Sequence, residues 1–337
     1  MTERPKLGTV AKEAGVSVAT ASQVMRGTGR ISEKTRKKVL RAAQKLRYVP
    51  DARAASMRSG QSREIGFAIH QIANPFNAEV ISGVSDQLET EGYLVSVLDA
   101  RDNADRQGDQ LEAFIRNSRG GLLWVPALDT PADRLELLAA HRLPTVTFLR
   151  RPEGSVFDHV GIRNAEATGA GTRHLAELGH RHIAYLGGSG MMEVRRARIA
   201  GYTRQMAERG LGPPVVWDSG DNKLAGMNSM MALREAHPDT TAVVCNGDMV
   251  ALGACLALTR VGLQPGRDLS VIGFDDIQDA AVATPPLTTM AVHPYQLGRR
   301  LARTMLDRIR DPQMPVTVSE ISADLVLRET TAPPRAT

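Results

Sequence analysis

A chain of 337 residues with 42% hydrophobic and 23% charged composition can bury a real core and is too long for one ordinary domain. Two or three folded units are expected, and a disordered or fibrous chain is excluded. The first residues are polar, and no uninterrupted apolar run of about 18 residues occurs, so the reading is of a cytoplasmic chain without signal peptide or membrane span. The net charge of +5 is unevenly divided: residues 1–63 hold 15 Lys and Arg against 4 Asp and Glu, a net of +11, and the remainder nets −6. A basic run is often only a solvated face, but this much charge in so small a segment is the footprint of a polyanion partner, most often nucleic acid.

The basic segment reads as three short helices. Val10, Ala11 and Ala14 fall at helical spacing and Gly15 ends the first helix. Ser17 is placed to cap a second helix over about 18–25 by accepting from the amide of Ala19 or Thr20. That helix turns Ala21 and Val24 inward. Gly27 stops it, and Ser32 caps a third helix whose Val39, Ala43 and Leu46 recur at i, i+4, i+7. Two short helices joined by a tight glycine turn have the helix-turn-helix geometry that offers its second helix to a major groove, although helical hairpins also occur where no DNA is bound. Ser59-Gly60-Gln61-Ser62 reads as a joint.

From Arg63 the pattern changes to strands alternating with amphipathic helices. Apolar strands are expected at 65–69, 93–98, 121–125 and 144–148, and then near 182–186, 241–245 and 269–274. The alternation predicts an α/β core of two doubly wound parallel sheets with ligands at the carboxyl ends of the strands. Cys245 and Cys255 lie in apolar sequence without metal-ligand neighbours and are read as buried, reduced thiols. No cofactor and no metal is expected. Gly187-Gly188-Ser189-Gly190 is neither a complete phosphate loop nor a nucleophile elbow, and His180 and His182 form no catalytic set, so an enzyme is disfavoured.

Val10-Ala11-Lys12-Glu13-Ala14-Gly15-Val16-Ser17, Ala19-Thr20-Ala21-Ser22, Ile31-Ser32-Glu33-Lys34-Thr35-Arg36 and Leu46-Arg47-Tyr48-Val49-Pro50 occur in that order. They are followed by Asn74-Pro75-Phe76, Leu178-Gly179-His180-Arg181-His182-Ile183-Ala184 and Arg198-Ile199-Ala200-Gly201-Tyr202. Val271-Ile272-Gly273-Phe274-Asp275-Asp276 and Pro286-Leu287-Thr288-Thr289 complete the series. Each stretch is weak alone, but the ordered set, running along nearly the whole chain, resembles the LacI/GalR family of transcriptional regulators.

The resemblance implies a helix-turn-helix headpiece (1–49), a hinge helix and linker (50–62) and a periplasmic-binding-protein-like core (63–330). The core would divide into one subdomain of about 63–161 plus 292–328 and another of 162–291, with strands at 316–320 and 323–327 finishing it. It also implies a homodimer on a near-palindromic operator; the tail from 330 lacks leucine heptads, so a tetramer is not expected. Val18, Ala19 and Gln23 would face base edges, Gln23 suiting adenine, while Ser17, Thr20 and Ser22 would contact phosphates. Arg26 and Tyr48 complete the expected DNA face, and Met57 stands at the hinge position that wedges into the minor groove.

In the core the resemblance assigns the effector to Phe76, Arg150, Arg198, Asp248 and Asp275, with Asp248 alternatively capping a helix. Arg198 is the leading candidate, because a forked guanidinium holds hydroxyls or carboxylates. Leu149, Arg163 and Gly247 replace polar residues frequent in the family, and Val292 stands where several sugar-responsive relatives have Gln. These exchanges remove acceptors and suggest a sugar acid or phosphorylated metabolite, with a neutral sugar as the other option. A transport-type binding protein would share the core but not the basic headpiece.

Overall fold

Helix α1 (Leu7–Ala14) stops where the chain must turn left-handed: Gly15 has φ +65° and its amide closes on the carbonyls of Ala11 and Lys12. Ser17 then caps α2 (Val18–Met25) by accepting from the Thr20 amide at 3.1 Å, and Ser32 caps α3 (Glu33–Lys45) through the Thr35 amide at 3.3 Å. The buried faces of the three helices meet through Val10, Ala11, Ala14, Ala21, Val24, Val39, Ala42 and Ala43. Small residues at these contacts let such short helices approach closely. The computed structural model describes residues 5–50, 62–117, 120–188, 190 and 193–335, and the chain divides into two compact units between Ser62 and Arg63. Met57 and most of the expected hinge lie outside the described residues.

The larger unit alternates strand and helix, as its apolar periodicity requires. Its first half carries β1 (Glu64–Ile69), α4 (Pro75–Glu89), β2 (Leu94–Asp99), α5 (Ala104–Asn117), β3 (Gly121–Trp124), α6 (Asp133–Ala140), β4 (Thr145–Phe148) and β5 (Asp158–Ile162). The chain then crosses to α7 (Asn164–Glu177), β6 (Ile183–Leu186), α8 (Glu193–Glu208), β7 (Val215–Trp217), α9 (Lys223–Ala236), β8 (Ala242–Cys245), α10 (Asp248–Arg260), β9 (Ser270–Asp275), α11 (Gln278–Val282) and β10 (Thr288–Ala291). It returns through α12 (Pro294–Arg310) and β11 (Val318–Ile321), then crosses again to β12 (Asp324–Val326).

The first sheet has the order β11-β5-β4-β3-β1-β2, with parallel neighbours throughout, and the second has the order β12-β10-β9-β8-β6-β7. In the second sheet, among the strand pairs of the described residues, only the pairing of β12 with β10 is antiparallel. Both orders reverse between their first and third strands, β1 and β3 in one sheet and β6 and β8 in the other. That reversal opens a crevice at the carboxyl ends.

The expected division of the core requires one correction. The resemblance puts the strand at 323–327 in the first subdomain, but β12 pairs with β10 in the second sheet. The residues after it stay there: Val271 donates to the Thr330 carbonyl at 2.8 Å, and His180 and Ser270 both bond the Ala332 carbonyl. The core therefore extends past residue 330, and His180 serves as a buried anchor for this segment.

Two helix pairs cross at mutual glycines. A β-carbon on Gly83 would lie 2.0 Å from the Tyr295 carbonyl oxygen, and one on Gly298 2.1 Å from that of Val80, so α4 and α12 touch backbone to backbone. Gly226 and Gly253 do the same for α9 and α10. The methyl of Gly298→Ala has nowhere to go without parting the helices. The expected cost is about 1–3 kcal/mol, read from the midpoint of urea unfolding, and a midpoint equal to that of the parent would mean the crossing is looser than these distances.

Candidate functional site

In the headpiece, α2 and its cap present Ser17, Val18 and Ala19 outward, Val18 being 53% exposed. The Ser17 hydroxyl is engaged at the helix cap with Thr20. Ser22 is half-buried, and its carbonyl accepts from Arg26 Nε at 3.2 Å, which folds Arg26 back along its own helix. Gln23 lies against the turn that ends α2, its side-chain carbonyl 3.1 Å from where a β-carbon on Gly29 would stand. Tyr48 packs against the headpiece core. Of the residues predicted to meet DNA, Ser17, Val18, Ala19 and Arg26 are exposed, and Thr20, Ser22, Gln23 and Tyr48 are partly covered.

In the core, a cleft between the two sheets is lined from strand ends. His70 follows β1, Leu149 and Arg150 follow β4, Asn246 and Gly247 follow β8, and Asp275 ends β9; Arg195 and Arg198 enter from α8, and Asp221 from the segment after β7. The inner space is about 80 Å³ and adjoins a wider mouth of about 510 Å³ that shares His70, Arg150 and Asp221. Two bonds span the halves beside it: Glu79 accepts from the Gln278 amide at 3.1 Å, and Glu193 accepts from the Arg151 amide at 3.2 Å.

The arginines are committed within the protein. Arg150 makes a two-pronged pair with Asp102 at 2.5 and 2.9 Å and also reaches the Pro126 carbonyl at 2.9 Å. Burial alone would raise the Asp102 carboxyl, but Arg150's bonds and charge hold it below the ordinary value. Arg195 binds Asp218 and the carbonyls of Gly187 and Gly190. Arg198 donates to Asn164 at 2.8 Å and to the Asn246 carbonyl, and its guanidinium lies 3.6 Å from the centre of the Phe274 ring.

The acids behave differently. Nothing among the described residues donates to the Asp275 carboxyl, which burial pushes well above the usual range; the nearby Asp248, Asp221 and Glu79 add to the rise and Arg198 opposes it. Burial also raises Asp221, although Asn246 donates to it at 2.8 Å. Burial, followed by the charge of Arg150, lowers His70 to about 4, so the ring is neutral near pH 7, and its Nδ1 has no hydrogen-bond partner among the described residues.

Phe76, Arg150, Arg198 and Asp275 are thus brought together. Phe76 lines the cleft but is 3% exposed and stacked on Phe148, so most of its ring is used inside the fold. Asp248 is the correction: it is fully buried behind the cleft wall, where its carboxylate accepts from the Ile277 amide at 2.9 Å and the Thr289 hydroxyl at 2.5 Å. Burial raises it to about 7 despite those bonds. It fastens the turn that follows Asp275 and does not line the cleft. His70, Arg195, Asp221 and Asn246 were missed, although His70 and Asn246 directly follow apolar strands, the position the strand-end rule singles out.

The two cysteines are free and buried, and burial pushes the Cys255 thiol up to about 12. Among the described residues no helix is long and apolar enough to cross a membrane.

The profile of bacterial regulatory proteins of the lacI family matches residues 6–51, and that of the periplasmic binding protein-like domain matches residues 172–331. The chain is 33% identical over 327 residues to the HTH-type transcriptional repressor PurR of Photobacterium profundum, covering 95% of this chain and 96% of that one. The PurR of Vibrio campbellii is 34% identical over 328 residues, with 95% and 97% covered. Among solved structures, a lac repressor dimer bound to operator and the anti-inducer ONPF superposes with a TM-score of 0.85 at 27% identity, covering 98% of this chain and all of that one. A CelR–cellobiose complex gives 0.72 at 27% identity, covering 97% and 100%. With a headpiece of this profile and curated relatives matched along nearly its whole length, the chain belongs to the lacI family of bacterial regulatory proteins and is a DNA-binding transcriptional repressor.

Proposed function

We propose that the protein binds a near-palindromic operator as a homodimer in the cytoplasm, and that a small molecule held between the halves of its core sets its affinity for that operator. The observation that carries this reading is the cleft itself: strand ends of both sheets converge on one space that contains Arg198 and an Asp275 carboxyl to which no described residue donates. It stands on a chain whose first unit has the lacI profile.

The coupling follows from linkage. A ligand that touches both sides of the cleft favours the arrangement in which the Glu79 and Glu193 bonds are made. Any arrangement that changes operator affinity must then be changed by the operator to the same extent. The test is a titration of full-length protein onto labelled duplex selected from a random pool, with and without metabolites. Specific binding that no metabolite alters would refute the control, and loss of preference for any duplex over bulk competitor would refute the operator.

Within that duplex, Gln23→Arg is expected to shift the preferred base at one position of each half-site from adenine to guanine, a discrimination of about 1–3 kcal/mol per base pair. Ser22→Ala is expected to weaken all sequences alike. Repeating the selection with each variant reads both effects, and an unchanged motif for the Gln23 variant would show that another residue faces that base.

A further inference from the structure

The turn that ends α2 also covers Gln23. Gly27, at φ +69°, lets the chain reverse: its amide returns to the Val24 carbonyl at 3.1 Å and the Thr28 amide to the Gln23 carbonyl at 2.9 Å, the paired closure of a helix that ends on a left-handed glycine. The Thr28 bond brings the next residue, Gly29, back against Gln23. A β-carbon on Gly29 would stand 3.1 Å from both Cδ and Oε1 of Gln23 and 3.5 Å from its Nε2, so the whole carboxamide lies where a side chain at 29 would be. Gln23 is half-buried, although the residues from Arg26 to Arg30 are exposed. Gly27 makes no such contact: a β-carbon there would meet nothing within 4 Å.

We propose that Gly29, which lies outside α2 and has no side chain to touch DNA, is a positioning residue for base reading: the space it leaves open sets how the Gln23 carboxamide is presented, and so which base each half-site requires at that position. The proposal rests on the reading that Gln23 faces a base edge. Adenine offers a donor and an acceptor side by side, and a carboxamide pairs with both only when its plane and its two ends match that edge. Gln is a long side chain with much rotational freedom, and laying its amide against the turn removes part of the ordering cost that binding incurs. A side chain at 29 meets the far end of that flexible chain and no backbone, so it displaces the amide and leaves the headpiece core in place. The two-pronged bond to the base is then lost while the phosphate contacts stay. Gly29 is also left-handed, at φ +81°, so a substitution strains the turn, and Gly27 matches it in that respect alone.

The experiment measures binding of the full-length protein to the duplex recovered from the random pool, labelled and carrying each base in turn at the position where Gln23→Ala changes the preference. The parent is expected to prefer adenine there by about 5- to 150-fold, the range of a good bidentate pair. Gly29→Ala and Gly29→Asn are expected to lose most of that ratio, while affinity for bulk DNA and its dependence on salt, which report the phosphate contacts, stay at the parent's values. Asn tolerates a left-handed backbone, so it decides the outcome should the Ala variant fail to fold. Gly27→Ala and Gly27→Asn bring the same backbone strain without the contact and should keep the preference. On top of Gln23→Ala, Gly29→Ala should change base choice no further, because the two residues act as a unit. The proposal is overturned if the Gly29 variants keep the parent's ratio, if the Gly27 variants lose it as well, or if Gly29→Ala still shifts base choice in the absence of Gln23. A Gln23→Ala variant that keeps every base preference of the parent removes the reading that Gln23 faces a base, and the proposal with it.

Discussion

Replacing Asp158 with Ala is expected to lower the unfolding free energy of the core by about 3–5 kcal/mol, because it strands a charge that is buried and fully bonded. Asp158 is 1% exposed at the start of β5, and Arg308 grips both of its oxygens at 2.7 and 2.9 Å. The amide and hydroxyl of Thr317 donate to the same carboxylate at 2.7 and 2.9 Å, and Arg308 also reaches the Met314 carbonyl at 2.6 Å. This cluster staples the returning chain, from the end of α12 to the start of β11, onto the first sheet. Without the carboxylate, Arg308 is left with carbonyls only, and β11 loses its anchor.

Burial alone would raise the Asp158 carboxyl, but the bonds from Arg308 and Thr317 hold it below its ordinary value. A depressed carboxyl contributes stability that is full above the unfolded pKa, near 4, and is lost as pH falls through the lower folded value. The parent and the variant should therefore differ most near neutrality and converge in acid. Urea unfolding at neutral pH and again in acid reads both effects. A neutral-pH difference under about 1 kcal/mol would mean that the pair only offsets its own desolvation cost.

Arg198→Met is expected to leave operator binding intact and to blunt the effector response. Arg198 joins Asn164, the second residue after β5, to the carbonyl of Asn246 at the end of β8, with Phe274 beneath. A ligand seated against it therefore meets the crossing between the halves as well as the second sheet. Loss of one hydrogen bond to a charged group costs about 1.5–3 kcal/mol, so the effector concentration for half-maximal response should rise roughly 10- to 150-fold. Titrating the operator complex with a metabolite that alters operator binding by the parent measures this. An unchanged midpoint would make Arg198 a structural brace, and loss of operator binding without effector would make the substitution disruptive.

Much of the headpiece was legible because its signals are local. Gly15 must be left-handed at the end of α1, Ser17 and Ser32 cap within three residues of themselves, and the inward faces follow helical spacing. The same holds for most core strands, whose apolar runs mark them within a residue or so of their observed bounds. The fate of β12 was not legible, because a three-residue edge strand joins whichever sheet lies nearest, and nothing in its sequence names the partner.

The amino-acid order by itself determined the helical headpiece, the alternation of strand and helix, and the family, and the resemblance pointed to Arg198 and Asp275. Only the tertiary structure decided that His70, Asp221 and Asn246 meet them, that Asp248 turns inward to Thr289 and Ile277, and that Arg150 arrives already paired with Asp102. The reason is that caps and periodicity act over a few residues of chain. The availability of a charge is instead set by burial and by partners such as Asp102, 48 positions from Arg150, and those are fixed only once distant strands have joined one sheet.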